Sequence, residues 1–294
     1  MNSIVDVFYQ IQKLRISSTN MTNATEDQPK TKFDWVPQRL HEIEKSMTAE
    51  FQSLVEAWPV YNQWLRHVKG IGPTYAIGLL AWLENPVKNA DTVSKFWAYN
   101  GYNTEEWCTD CNKKFFSHPE KKETYIQNKL KQLHLAFERK KEKKEWNEGS
   151  VRLKVASWIC TDPNHRIIVR APRRVRGRLL DWNPSTRVLF WKIGHQLCMI
   201  KPPRFKKTGV YRQLYDSYKA DYEKTRGHLL LEKGGKGHIH NMAIRKMVKI
   251  FMYHLWRVWR TNLGLPIRDP YVTEYGEHRG IIPPLMDDGE VSNE

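Results

Sequence analysis

The sequence predicts a mainly α-helical protein, on three observations. Apolar residues return every three or four positions over most of the chain, a Gly-Ile-Gly-Pro run separates two such stretches, and a Cys-x-x-Cys pair stands far upstream of a second Cys/His pair. Together they describe a helical domain around a helix-hairpin-helix, with a zinc-knuckle region inserted into it. The expected organisation is an N-terminal helical segment over 1–63, the helix-hairpin-helix over 64–104, a zinc-knuckle insertion with a long helix and an arginine arm over 105–182, and a C-terminal helical region with an irregular tail over 183–294.

Ile4, Val5, Val7, Phe8, Ile11 and Leu14 share helical spacing, which predicts an opening helix that stops near Ser17. Ser17 to Lys32, rich in Ser, Thr and Asn and holding Pro29, reads as a linker. Leu40, Ile43, Met47, Phe51, Leu54 and Val55 mark a second helix from about Val36 toward Trp58. A further helix ends at Trp64, Leu65 and Val68.

The bend follows at Lys69-Gly70-Ile71-Gly72-Pro73-Thr74. Two glycines allow positive φ on either side of Ile71, which is expected to turn inward as a plug. Pro73 suits the first turn of a helix, where its missing N–H costs nothing, and Ala76, Leu79 and Leu80 continue at helical spacing. Main-chain N–H groups at the bend and at the positive end of that helix would face outward and hold a phosphate without reading bases. The competing reading is a tight helix–helix turn with no ligand.

Beyond Leu83, Glu84 to Thr92 reads as a polar loop, and Val93 to Tyr102 as a short helix closed by Asn100-Gly101. Ile126, Leu130, Leu133 and Phe137 give the charged stretch Glu120–Glu148 a narrow apolar seam, hence one long helix. Arg166, Arg170, Arg173, Arg174, Arg176 and Arg178 place six arginines in thirteen residues, broken by Ala171-Pro172 and Gly177. That composition predicts an irregular or extended arm lying along phosphates, or a disordered basic linker. Asn183-Pro184 starts a helix through Val188, Leu189, Trp191, Ile193, Leu197 and a buried Cys198, ended by Pro202-Pro203. Val210 to Lys224 forms another, with Tyr211, Leu214, Tyr215, Tyr218 and Tyr222 on one side. The last long helix runs from His238 to about Asn262, with Arg245, Lys246, Lys249, Arg257 and Arg260 around it, and Pro266, Pro270, Pro283 and Pro284 leave the tail irregular.

Composition narrows the partner. Forty-eight Lys and Arg against 32 Asp and Glu give a formal charge of +16, and twelve Trp with thirteen Tyr supply rings that stack on bases as well as fill a core. DNA is the expected partner, with a guide or structured RNA and a second copy of the chain as further candidates. No run of eighteen apolar residues and no signal-like start are present, so no membrane is expected and the location is intracellular, cytoplasmic or nucleoid.

Cys108 and Cys111 form a knuckle able to present two thiolates to one ion, and Cys160 with His165 completes a tetrahedral set for structural Zn. His118 is the rival fourth ligand, and free core thiols are the alternative. The 48 residues between the pairs make the long helix an insertion whose ends the ion joins.

Trp64 to Tyr102, with Lys69-Gly70-Ile71-Gly72-Pro73, Ala76, Leu79-Leu80, Phe96 and Ala98-Tyr99-Asn100-Gly101, resembles the C-terminal transposase domain of the insertion-sequence family now known for bridge-RNA-guided recombination. The basic helix Gly237 to Arg260 looks loosely like that family's closing segment. The resemblance implies a DNA-binding protein of a mobile genetic element. It does not extend to the family's active site. Only 63 residues precede Trp64, too few for the family's N-terminal acidic nuclease-like domain, and the place of its catalytic serine reads Asn103-Thr104-Glu105-Glu106-Trp107. The alternatives are an active transposase or recombinase with another nucleophile, such as Thr104, and an RNA-binding or scaffold protein. No P-loop, nucleophile elbow or His-Glu-x-x-His run is present.

Overall fold

Burial of aromatic rings against one long C-terminal helix organises most of the chain. The computed structural model describes residues 2–24, 35–140, 145–268 and 282–287, and in these the protein is mainly helical, with ten α-helices and one small sheet. The chain packs as two units, one made of Met1–Asn100 with Pro184–Glu294, the other of Gly101–Asn183.

The first unit contains α1 (Asn2–Ala24), α2 (Val36–Glu56), α3 (Pro59–Gln63), α4 (Pro73–Asn89), α5 (Val93–Tyr99), then α8 (Pro184–Cys198), α9 (Val210–Thr225) and α10 (Gly235–Asn262). α10 lies at its centre, packed on α8 and α9 and touching α3, α4 and α5. Phe251 on α10 meets Trp64, Phe190 and Tyr211 at ring separations of 5.4, 6.4 and 5.4 Å, and all four rings are buried. Gly194 lets α8 approach α10 closely, because a Cβ there would lie 2.6 Å from Val248 and 2.8 Å from Ile244. Arg260 is buried and donates to the carbonyls of Val87 (2.8 Å), Ala90 (3.0 Å) and Pro266 (3.0 Å), closing the C-terminal end of α4. The segment 282–287 is tied down by Trp64 Nε1 to Leu285 O (3.0 Å) and His254 Nε2 to Ile282 O (2.9 Å).

The second unit contains α6 (Pro119–Lys140), α7 (Glu148–Ala156) and the antiparallel strands β1 (Glu105–Cys108), β2 (Lys113–Lys114) and β3 (Ile167–Arg170), in the order β2-β1-β3. Its apolar cluster is Ile126, Leu130, Val155, Trp158 and Ile159.

Several local expectations are corrected. α1 continues past Ser17 to Ala24, because Ser18, Thr19 and Thr22 fold their hydroxyls back onto the carbonyls of Arg15, Arg15 and Ser18 instead of capping. Residues 25–34, the remainder of the expected linker with Pro29, lie outside the described residues. α4 runs through Glu84–Asn89 rather than ending at Leu83, carrying Pro86 inside it, with Val87 buried and Lys88 paired to Glu84 at 2.8 Å. The expected single helix over 120–148 is α6 alone as far as Lys140, and α7 starts afresh at Glu148 with Asn147 capping Ser150 N at 2.9 Å. Arg170 belongs to a strand, so the arginine arm is irregular only after it. Pro270 lies outside the described residues.

Candidate functional site

The bend is built between a 3-10 turn at Leu65–His67 and the start of α4. Val68 and Ile71 are buried, and Ile71 N donates to Val68 O at 3.1 Å, so the expected plug is seated. Gly70 adopts φ +96°, and a Cβ there would press on Ile200 at 3.1 Å, so glycine is required both by conformation and by contact. Gly72 is extended and exposed with open space around its Cα, and Pro73 takes the first helical position.

The main-chain donors divide. Lys69 N is not directed to solvent. It donates to Asp287 Oδ2 at 2.7 Å, while Asp287 Oδ1 accepts from Val210 N at 3.0 Å and Asp287 N donates to His67 O at 3.0 Å. The tail therefore supplies an internal carboxylate to one donor that was expected to meet a phosphate. Among the described residues, Gly72 N and Thr74 N make no intramolecular hydrogen bond, and Pro73 has no N–H to offer. The exposed part of the bend thus presents two amides at the positive end of α4, beside a half-exposed Lys69.

In the second unit, β1 and β2 pair across the Cys-x-x-Cys turn, where Asn112 takes φ 55° and accepts from Trp107 Nε1 at 3.1 Å. The distant pair is stitched to this turn by three bonds from main-chain donors: Cys160 N to Lys114 O at 2.8 Å, Thr109 N to Arg166 O at 3.0 Å, and Arg166 N to the Asp110 side chain (Oδ2) at 2.8 Å. These bonds gather Cys108, Cys111, Cys160 and His165, whose ligating atoms all lie within 4.8 Å of one another. His165 Nδ1 faces Cys108 Sγ at 3.5 Å and Cys160 Sγ at 3.4 Å, and its Nε2 lies 3.3 Å from Asp162 Oδ2. Around a tetrahedral ion with metal–sulfur and metal–nitrogen bonds of about 2.3 and 2.0–2.1 Å, S and N atoms are about 3.6 Å apart, so the donor set fits such an ion. A carboxylate behind the imidazole is the usual orienting partner of a ligating histidine. Burial raises the Cys108 thiol, but the Cys111 amide and neighbouring thiols outweigh it and bring it down to about 7; burial and the adjacent sulfurs push Cys111 up to about 12. His118 is exposed and stands outside the group.

The five arginines expected on nucleic acid divide as well. Arg170 lies 3.5 Å over the ring of Trp107 and donates to Glu105 Oε1 at 3.1 Å. Arg178 donates to Trp158 O at 3.2 Å, and burial lowers its pKa. Both are structural anchors. Arg173, Arg174 and Arg176 are exposed and, among the described residues, form no ion pair or hydrogen bond. Behind Arg178, the buried Lys129 holds Asp181 Oδ1 at 2.7 Å and the carbonyls of Leu179 and Leu180 at 3.1 and 2.9 Å, and Lys114 takes Asp181 Oδ2 at 2.6 Å. The arm is therefore a loop pinned at both ends with three free guanidinium groups at its crest. Glu105, Lys114, Lys129 and Asp181 had no signal in the sequence beyond their charge, because the contacts that define them span up to 67 residues.

Thr104 is exposed beside β1, and its hydroxyl has no hydrogen-bond partner among the described residues. No described helix is long and apolar enough to cross a membrane. Compared with protein-family models, curated proteins and solved structures, the chain matches none.

Proposed function

We propose that this chain binds DNA through its backbone, using the Gly70-Ile71-Gly72 bend as a helix-hairpin-helix and the Arg173–Arg176 crest as a second phosphate contact, in the manner of a transposase-like protein of a mobile element. The observation that carries this reading is the pinned loop, which holds Arg173, Arg174 and Arg176 in solvent without a carboxylate partner in a chain of formal charge +16. Such groups release counterions when they meet phosphates. The amides of Gly72 and Thr74 add contacts that position a strand and carry no base information. The mobile-element kinship rests on the motif from Trp64 to Tyr102.

In this reading the Cys108, Cys111, Cys160 and His165 set holds zinc. The ion supplies structure: it joins the two ends of the segment carrying α6 and α7 and so fixes the strands from which the arginine loop springs.

The test is a salt series on duplex DNA, single strands and structured RNA. Affinity for duplex is expected to fall steeply with salt, and the double substitution Arg173→Ala/Arg174→Ala to shallow the log–log slope by about one to two units. An unchanged slope removes the loop from the interface, and tighter binding to structured RNA than to duplex moves the assignment to RNA.

A further inference from the structure

Beside the bend, the first unit has a cleft between α1, α4 and α8, with a volume of about 610 Å³. A second cavity of about 420 Å³ shares Tyr9, Gln12, Ile16 and Lys192 with it and extends to Thr74 and Tyr75 in the first turn of α4. The groove thus reaches the first turn of α4, next in sequence to the Gly72 and Thr74 amides.

Its lining is specific in two respects. Tyr9 and Trp82 stack on one another (centroids 5.2 Å apart, planes at 29°) and together wall the cleft with π surface. The Tyr9 hydroxyl is buried against Gly78 with no hydrogen-bond partner, and Trp82 Nε1 is turned away to Asp6 Oδ1 at 3.2 Å. The rings line the cleft with apolar area, one face of each being taken up by their mutual stacking.

The charge is one-sided. Lys13, Arg15 and Lys192 line the two cavities and no Asp or Glu does. Arg15 is neutralised by Glu44 at 2.7 Å. Lys192 lies 5.0 Å over the Tyr9 ring, has only Gln12 Oε1 at 3.4 Å as a hydrogen-bond acceptor, and has no carboxylate partner among the described residues. Aromatic rings beside a cation without a carboxylate partner, in a groove that reaches the first turn of α4, match a nucleotide: π surface for the base, positive charge for its phosphate. An apolar peptide segment would use the rings and leave Lys192 without a partner.

We infer that this cleft receives an unpaired nucleobase of the strand whose phosphate is held at the Gly72 and Thr74 amides. The inference rests on the nucleic-acid reading above and sharpens it, making the preferred ligand a duplex with a bulged, frayed or displaced base rather than continuous B-form DNA.

The probe is a duplex with one bulged 2-aminopurine, compared at fixed salt with the same duplex fully paired. The bulged duplex is expected to bind about tenfold tighter, with 2-aminopurine fluorescence quenched on stacking. Val188→Trp, at a cleft position 52% exposed, fills the groove from its rim and is expected to abolish the preference while leaving paired-duplex affinity intact. Trp82→Ala is the companion from the opposite wall. Equal affinity of the wild type for both duplexes overturns the inference and leaves backbone binding standing, whereas no binding to either removes both. A preference that survives both substitutions places the base elsewhere and also overturns it. A change in sedimenting mass with Val188→Trp, without base preference, assigns the cleft to a second copy of the chain and overturns it likewise.

Discussion

The two units are held together by different physics. In the first, the largest buried side chains are rings packed on or near α10, among them Trp64, Phe190, Phe251, Trp256 and Trp259, and buried polar groups such as Arg260 close helix ends. In the second, five buried apolar residues form the cluster with α6 and α7, and beside it runs one chain of charge contacts, from the buried Lys129 and Glu105 through the half-buried Lys114 and Arg170 to Asp181 at the surface. A small segment buries too little apolar area to stabilise itself, so cross-links take over. The same basic sequence places its cations in two ways, as internal struts such as Lys129 and Arg260 and as exposed groups that no carboxylate answers, such as Arg173, Arg174 and Arg176.

Removing the proposed ion should separate the units most strongly. Structural zinc carries roughly 10–16 kcal/mol of apparent binding free energy in small peptides, more than the small apolar cluster can replace. Chelation, or Cys108→Ser, is expected to expose amides over 101–183 to hydrogen exchange while α10 keeps its protection. Metal analysis should find one zinc per chain, and an unaltered exchange pattern with no zinc would break the comparison.

The buried charge comes next. Lys129→Met leaves Asp181 with Lys114 alone and strips the carbonyls of Leu179 and Leu180 of this donor, so a loss of about 1–2 kcal/mol is expected in the second unit. Urea unfolding followed by probes in that unit measures it. A neutral result would mean that the apolar cluster suffices.

The first unit should respond to acid instead. Burial pulls His254 down to about 4, against a hydrogen bond to Ile282 O that acts in the opposite sense, and Tyr211 OH lies 2.6 Å from its Nδ1. The unfolded chain, with an ordinary histidine near 6.5, binds a proton that the folded one refuses between pH 6.5 and 4. Stability is therefore full above that window and lost as pH falls through it, by about 2 kcal/mol at pH 5. Urea midpoints at pH 7.5 and 5 check the sign, and His254→Gln should flatten the dependence.

Much of the helical architecture was legible, since α2, α8, α9 and α10 follow apolar spacing closely and Pro73 and Pro184 mark two starts. The errors have local causes. Ser18, Thr19 and Thr22 look like linker residues until their hydroxyls are seen turned back on the helix, and Glu84 to Thr92 looks like a polar loop although α4 continues through Pro86 to Asn89. The three short strands carry no alternating pattern long enough to read. The four candidate ligands Cys108, Cys111, Cys160 and His165 were legible as residue types and spacing, and the structure brings them together while leaving the rival His118 outside the group.

What the sequence by itself determined is helical class, the Gly-Ile-Gly bend and the ligand types, because periodicity, backbone freedom and donor chemistry belong to residues near one another in the chain. What only the tertiary structure decided is how each charge is used: Arg170, Arg178 and Arg260 turn inward, Asp287 takes the Lys69 amide, and Lys192 is left without a counter-charge beside two stacked rings. The reason is that a charge is neutralised or left free by neighbours in space, and those neighbours come from distant parts of the chain.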